Sequence, residues 1–254
     1  MLNIILSGCN GYMGKVVTSL VTEDPDITIT AGIDINLKKL SDYPVYADPC
    51  DIIKTADVII DFSSPQAVDG LLKLSTSRKI PLILCATGYT PEQIENIEKA
   101  SEHIPVFRSG NMSLGINLLA DLIKRACAVL GDDFDMEIVE RHHRRKVDAP
   151  SGTAIMLADA AASALSYPPE YVFERESRRK PRDKKEIGIS AVRGGTIVGV
   201  HDVIFAGQDE VIEIRHTAAS RDVFAAGALK AAKFIAGKPP GMYDMGDVLG
   251  STAQ

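Results

Sequence analysis

Cysteine is scarce in this chain and never patterned. Cys9, Cys50, Cys85 and Cys127 are scattered with no CxxC spacing, which excludes a disulfide framework and leaves reduced thiols as the expectation. Long apolar runs are missing too. Stretches such as Val58 to Ile60 fall far short of the roughly 20 residues a membrane helix needs, so no membrane association is expected. Met1-Leu2-Asn3-Ile4 leads straight into strand-like sequence without a basic region or a small-residue cleavage site, so the expectation is a cytoplasmic protein without a secretory signal. There is no internal repeat, no low-complexity tract and no excess of positive charge. With 28 Lys and Arg against 34 Asp and Glu the net charge is −6, which argues against a general nucleic-acid binder. No HExxH occurs and no cysteine lies near the paired histidines, so no metal site is expected. What remains is ordinary globular composition, 45% hydrophobic and 24% charged, which excludes disorder as the main state.

The first 110 residues or so alternate strands and helices. Asn3–Ser7, Ile27–Asp34, Val58–Phe62, Ile80–Cys85 and Ile104–Phe107 read as buried strands, and Tyr12–Val21, Gln66–Ser77 and Pro91–Glu102 as helices. Apolar strands alternating with helices imply βαβ units and a mostly parallel sheet. After Gly110 the pattern changes. Leu114–Leu130 and Ser151–Leu165 are helical, Phe134–Val139 is a strand, and Glu174–Lys185 is an exposed, cation-rich loop. Ile187–Arg193, Ile197–Phe205 and Val211–Thr217 are strands joined by short turns, which suits antiparallel or mixed pairing. Ser220 is expected to cap a last helix, Arg221–Ile235, which a Pro/Gly-rich tail follows. The fold class is therefore α/β: a Rossmann-type parallel-sheet domain followed by an α+β domain with a mixed sheet.

Gly8-Cys9-Asn10-Gly11-Tyr12-Met13-Gly14 sits between the first strand and the first helix. Glycines there permit a sharp turn and let backbone N–H groups approach a pyrophosphate at the positive end of a helix. Asp34 ends the second strand, where an acid accepts hydrogen bonds from an adenosine ribose. A carboxylate there favours NADH over NADPH, while Lys38 and Lys39 close behind soften that preference. The segments Cys85-Ala86-Thr87-Gly88 and Ser109-Gly110-Asn111-Met112 follow two further strands and should line the same crevice.

The densest chemistry lies at Glu140 to Ala154. Two adjacent histidines, His142 and His143, and four cations occupy six positions from Arg141 to Lys146. Pro150-Ser151-Gly152-Thr153 then opens a helix whose N–H groups form an anion site. Cations and a helix start suit a substrate carrying carboxylates or phosphate, and a histidine beside them exchanges a proton near neutral pH. Because strand neighbours face opposite ways, only one of the pair need be catalytic. His201 and His216 either face the same cavity or are core histidines. A nicotinamide nucleotide in the first half and an anion site with an acid in the second imply hydride transfer plus protonation.

These two motifs together resemble the 4-hydroxy-tetrahydrodipicolinate (dihydrodipicolinate) reductase family of bacterial lysine biosynthesis. Further matching stretches are Arg193-Gly194-Gly195 to His201, Ser220-Arg221 with Phe224 and Gly227-Ala228-Leu229, and Tyr243 to Leu249. The resemblance spans essentially the whole chain. It implies a homotetramer whose nucleotide-binding domain comprises residues 1–111 and 220–254, with 112–219 binding a cyclic dicarboxylate and assembling the tetramer. It also implies His142 and Lys146 as catalytic residues and His143, Gly152 and Thr153 as substrate contacts. Gly8, Cys9, Asn10, Gly11, Tyr12, Met13, Asp34, Cys85, Ala86, Thr87, Ser109, Gly110, Asn111 and Met112 would contact NADH or NADPH. Two departures stand out: Cys85-Ala86 where the family commonly has Gly-Thr, and Met112 where it commonly has an aromatic. The alternatives are another two-domain nicotinamide dehydrogenase or an NADH-sensing regulator. The latter should carry a DNA-binding helix pair and a basic domain, and the sequence has neither.

Overall fold

The computed structural model describes residues 1–252; the last two residues of the expected 220–254 segment lie outside them. The chain opens with β1 (Leu2–Ser7), α1 (Tyr12–Glu23), β2 (Ile27–Ile33), β3 (Val45–Tyr46), β4 (Val58–Asp61), α2 (Val68–Arg78), β5 (Leu82–Leu84), α3 (Pro91–Ser101) and β6 (Pro105–Arg108). It continues with α4 (Leu114–Leu130), β7 (Asp135–His142), α5 (Gly152–Ala162), β8 (Glu170–Val172), β9 (Glu186–Arg193), β10 (Gly199–Ala206) and β11 (Val211–Ala218). It ends with α6 (Asp222–Ile235), β12 (Gly241–Tyr243) and α7 (Met245–Thr252). Two compact units result, one from Met1–Leu114 and the segment from Asp222 onward, the other from Gly115–Arg221.

The first unit is a seven-stranded sheet in the order β12-β6-β5-β4-β1-β2-β3, with every pairing parallel. The order reverses beside β1, which marks the ligand-binding crevice of an open parallel sheet. Successive residues face opposite layers. Ile4, Leu6, Val58 and Ile60 join one core with α1 and α6, whereas Ile5 and Ile59 join a second core under α2 and α3. Burial on both faces explains why these strands read as unbroken apolar runs. A capping box at Thr90 and Gln93, with Pro91 in the first turn, starts α3 where the sequence places it. The helix expected from Gln66 begins as a single 3₁₀ turn, Pro65–Ala67, and becomes α-helical at Val68.

The second unit is a five-stranded mixed sheet ordered β11-β10-β7-β9-β8. The short Gly194-Gly195 connection does not make a hairpin. β7 lies between β9 and β10, parallel to the former and antiparallel to the latter. The connection crosses the end of β7, where Gly194 N–H donates to the His142 carbonyl at 2.9 Å. The cation-rich loop is exposed as expected, but three of its arginines are anchored. Arg175 binds Glu137 and Glu186, Arg178 binds Glu170, and Arg182 binds Asp135. Met136, Ile138, Ile187, Ile189, Val203 and Phe205 form the sheet side of a core closed by α4 and α5.

Two glycines make opposite predictions. A Cβ on Gly227 in α6 would overlap the Met112 carbonyl oxygen, which is backbone and cannot yield. A Cβ on Gly70 in α2 would meet only the Pro49 ring, with Cγ at 3.4 Å and Cδ at 3.7 Å. Gly227→Ala should therefore lower the thermal unfolding midpoint, at a cost of more than about 2 kcal/mol. Gly70→Ala should raise the midpoint, by roughly 0.5–1 kcal/mol of helix propensity. Thermal unfolding of both variants checks the pair of signs.

Candidate active site

In the first unit the segment after β1 turns at Gly8, which holds φ +73. Its Cα approaches the Phe62–Ser63 backbone so closely that a Cβ would lie 2.8 Å from it. Gly11 N–H donates to the Gly8 carbonyl at 3.1 Å, and Gly11 precedes α1 as its cap residue with no side-chain cap. A Cβ on Gly14 would overlap the Gly8 carbonyl, so the third glycine lets the helix pack against its own entry loop. This cradle fits a pyrophosphate: bare backbone, a sharp turn and the positive end of a helix.

Asp34 does more than the spacing suggests. Its Oδ2 accepts from Asn10 N–H at 2.9 Å and its Oδ1 from Asn36 N–H at 2.9 Å. Asn10 in turn donates through Nδ2 to the carbonyls of Asn36 and Lys38. The acid thus ties the glycine loop to the loop after β2, and each carboxylate oxygen keeps acceptor capacity for a ribose hydroxyl. The expected contacts fall into two kinds. Tyr12 and Thr87 are exposed, whereas the side chains of Cys9 and Met112 are buried in the core, leaving only their backbone for a ligand. Burial, with the Asp34 charge, pushes the Cys9 thiol up to about 11, so it is a packing group. Cys85 and Met13 pack half-buried against the same core, and Ala86 is half-buried. Ser109 Oγ donates to the Asn111 carbonyl at 2.8 Å, and Asn111 Oδ1 accepts from Ser113 N–H at 2.8 Å, which fixes the turn containing exposed Gly110.

In the second unit the period of two along β7 builds the site. Met136 and Ile138 point into the core, and the next two residues on that face are Glu140 and His142. The neighbouring strands follow suit: β10 sets Phe205, Val203 and His201 opposite Met136, Ile138 and Glu140, and β9 brings Arg193 opposite His142. Core becomes site within two pleats.

Glu140 is fully buried and takes part in four hydrogen bonds. Arg193 donates through both arms at 2.7 Å each, His142 Nδ1 lies 2.6 Å from Oε2, and Ser151 N–H donates to Oε1 at 2.9 Å. Burial alone would raise its pKa, but the bonds from Arg193, His142 and Ser151 outweigh it and hold the carboxyl below its ordinary value. Burial lowers the His142 pKa, Glu140 pulls it back up, and Lys146 and Arg193 push it down again, so it lies below the ordinary 6.5. Burial, and then the neighbouring His142, take His201 down to about 4. His201 is therefore neutral at pH 7, with its ring edge-on to His142 at 5.2 Å and Nε2 3.2 Å from Ser151 Oγ.

Ser151 also caps α5, accepting from Ala154 N–H at 3.2 Å. Gly152, the first residue of that helix, is exposed with open space beside it. Lys146 Nζ pairs with Asp148 at 2.8 Å, and Arg193 also donates to the Asp148 carbonyl at 2.6 Å, so one guanidinium joins this turn to Glu140. His143 is half-buried and its Nδ1 has no partner among the described residues. Thr153 follows Gly152 in the first turn of α5. The structure thus gathers His142, Lys146 and the α5 start, and it adds Glu140, Arg193 and His201. Glu140 and Arg193 were visible in the sequence as charged residues without a role; the strand register that aims both at His142 was not. Among the described residues no group of three or more His, Cys, Asp or Glu is arranged to hold a metal, and no helix is long and apolar enough to cross a membrane.

Two family models match the chain: the dihydrodipicolinate reductase N-terminus over residues 2–112 and the C-terminus over residues 115–249. A 4-hydroxy-tetrahydrodipicolinate reductase of Caldanaerobacter subterraneus is 53% identical over 249 residues, covering 98% of both chains. One from Clostridium tetani is 49% identical over 251 residues, covering 99% of this chain and 98% of its own. Among solved structures, a dipicolinate-bound dihydrodipicolinate reductase from Paenisporosarcina sp. TG-14 superposes with a TM-score of 0.79 at 22% identity, over 96% of this chain and 97% of that one. That likeness shows the fold, and the Rossmann-type sheet with a second mixed sheet agrees with it. Matched by both models and by full-length relatives, the chain belongs to the dihydrodipicolinate reductase family.

Proposed function

We propose that the chain is a pyridine-nucleotide-dependent 4-hydroxy-tetrahydrodipicolinate reductase of the diaminopimelate route to lysine. It would reduce (2S,4S)-4-hydroxy-2,3,4,5-tetrahydrodipicolinate to tetrahydrodipicolinate, consuming NAD(P)H and a proton and releasing water. Family membership carries the reaction, and the pairing of His142 with Glu140 beside Lys146 and the α5 start supports it. The bound nicotinamide supplies the hydride.

In this reading the domain of residues 1–111 and 220–254 holds the nucleotide. The backbone from Gly8 to Met13 takes the pyrophosphate, Asp34 the adenosine ribose, and the turns Cys85–Thr87 and Ser109–Met112 the nicotinamide half. The domain of residues 112–219 holds the substrate. Lys146 exchanges Asp148 for a substrate carboxylate, and the Gly152 and Thr153 N–H groups and His143 complete the anion site. The chain assembles through this domain as a homotetramer, and it works in the cytoplasm with its cysteines free, as all four are in this structure.

His142 protonates the ring. Its Nδ1–H is committed to Glu140, so the proton must leave from Nε2 of the imidazolium. A pKa below 6.5 leaves little imidazolium at neutral pH. Two substrate carboxylates nearby favour the charged form and draw a proton onto Nε2.

Steady-state assays with enzymatically generated substrate and each nucleotide in turn test the reading, and reduction with neither nucleotide would end it. Asp34 bonds the loop as well as facing the ribose, so Asp34→Ala should weaken both nucleotides, NADH more than NADPH; an unchanged ratio of kcat/KM values removes its ribose role. His142→Gln should lower kcat about 10²–10⁴-fold, with NADH affinity by fluorescence near wild type. The free enzyme needs protonated His142, so kcat/KM should fall as pH rises through a value below 6.5. The kcat profile should fall at higher pH, because bound dianion raises that pKa. Lys146→Ala should lower kcat/KM by at least about 10²-fold, or roughly 2.7 kcal/mol. Arg179→Ala or Lys184→Ala in the exposed loop should cost much less, and equal losses at all three would leave only a diffuse positive field.

A further inference from the structure

The reaction needs a proton donor, but nothing in it requires a second, fully buried carboxylate behind the histidine. A buried charge is costly unless it is paired and fully hydrogen-bonded. Glu140 meets both conditions, with four bonds from three elements: two from Arg193 on β9, the Ser151 N–H from the start of α5, and His142 from its own strand. Arg193 matches the carboxylate with both arms, the geometry that orients as well as binds.

We propose that Glu140, clamped by Arg193, is the positioning residue that holds neutral His142 as its Nδ1–H tautomer and so presents Nε2 as the atom that takes up and delivers the proton. The inference rests on the reading of His142 as the donor. Three observations carry it. Held ionised by both arms of Arg193, the Glu140 carboxylate can only accept, so the Nδ1 atom 2.6 Å away must be the donor. Nε2 has no hydrogen-bond partner among the described residues and lies over Gly199, where even a methyl group would stand only 3.2 Å away. Finally, the other groups facing His142 cannot do the same work. Lys146 and Arg193 are cations that oppose its protonation, and His201 is neutral, edge-on and bonded to Ser151. His216, opposite His201 across β10 and β11, stands one strand farther away. Glu140 is the one acid among these groups.

The same arrangement explains why Arg193 also bonds the Asp148 carbonyl. It sets the turn carrying Lys146 against the carboxylate that orients His142, so anion grip and proton donor share one anchor.

The test uses the full-length protein with ¹⁵N-labelled histidine. In the wild type, above the His142 titration, Nδ1 should show the protonated, pyrrole-type shift and Nε2 the pyridine-type shift, the tautomer that free histidine disfavours. Glu140→Gln, which keeps the shape and removes the charge, should move the His142 titration to lower pH. It should also lower kcat by about 10²-fold, with KM changed only a few-fold. A pyridine-type Nδ1 in the wild type would overturn the proposal, and so would an unmoved titration in Glu140→Gln. If the variant fails to fold, the wild-type tautomer decides alone. The expected tautomer and shift without a fall in kcat would sustain the role of Glu140 and refute His142 as the donor.

Discussion

The bidentate contact between Arg193 and Glu140 holds together the charged cluster of the second unit. Glu140 has no exposed surface, yet it remains a carboxylate, because four donors satisfy it. Remove the guanidinium and the same residue becomes an uncompensated buried charge, a loss of a few kcal/mol in comparable settings. Through that carboxylate the orientation of His142, the entry of α5 at Ser151 and the turn bearing Lys146 are all fixed. The site is rigid for the reason the core is rigid. It lies on the same face of β7, one pleat beyond Ile138.

The nucleotide-side unit solves a different problem. Its central strands are buried on both faces, so side chains along their length are unavailable to a ligand, and an open parallel sheet binds its ligand at the carboxyl ends. The glycines at 8 and 14 are bare because backbone occupies the space where side chains would go. Asp34 links two such segments by accepting from Asn10 and Asn36. The same carboxylate is therefore part of the loop's structure as well as a candidate ribose contact, so its replacement changes both.

Much of this was legible in the sequence. Helix α4 was read residue for residue, because its apolar stripe runs uninterrupted to Gly131. The mostly parallel sheet followed from apolar strands alternating with helices, and the HHxxK cluster pointed to an anion site and a proton donor. The partners of those residues were not legible. Arg193 lies 53 positions from Glu140, and only the parallel register of β7 with β9 sets it opposite His142. The Gly194-Gly195 turn suggested neighbouring strands, whereas β7 inserts between them; local turn chemistry carries no information about a third strand. Cys9 sits within the fingerprint, yet its thiol faces Gly32 and Tyr43 in the core, a direction set by packing and not by spacing.

On the proposed mechanism, a dianion bound beside His142 draws a proton onto it, with Glu140 holding the ring ready. Calorimetric titration of the protein with pyridine-2,6-dicarboxylate, in the presence of NADH and in buffers of different ionisation enthalpy, measures that proton directly. Net proton uptake on binding is expected at about pH 7.5, with its loss in His142→Gln. Tight binding with no proton uptake in the wild type, or the same uptake in the variant, would contradict it.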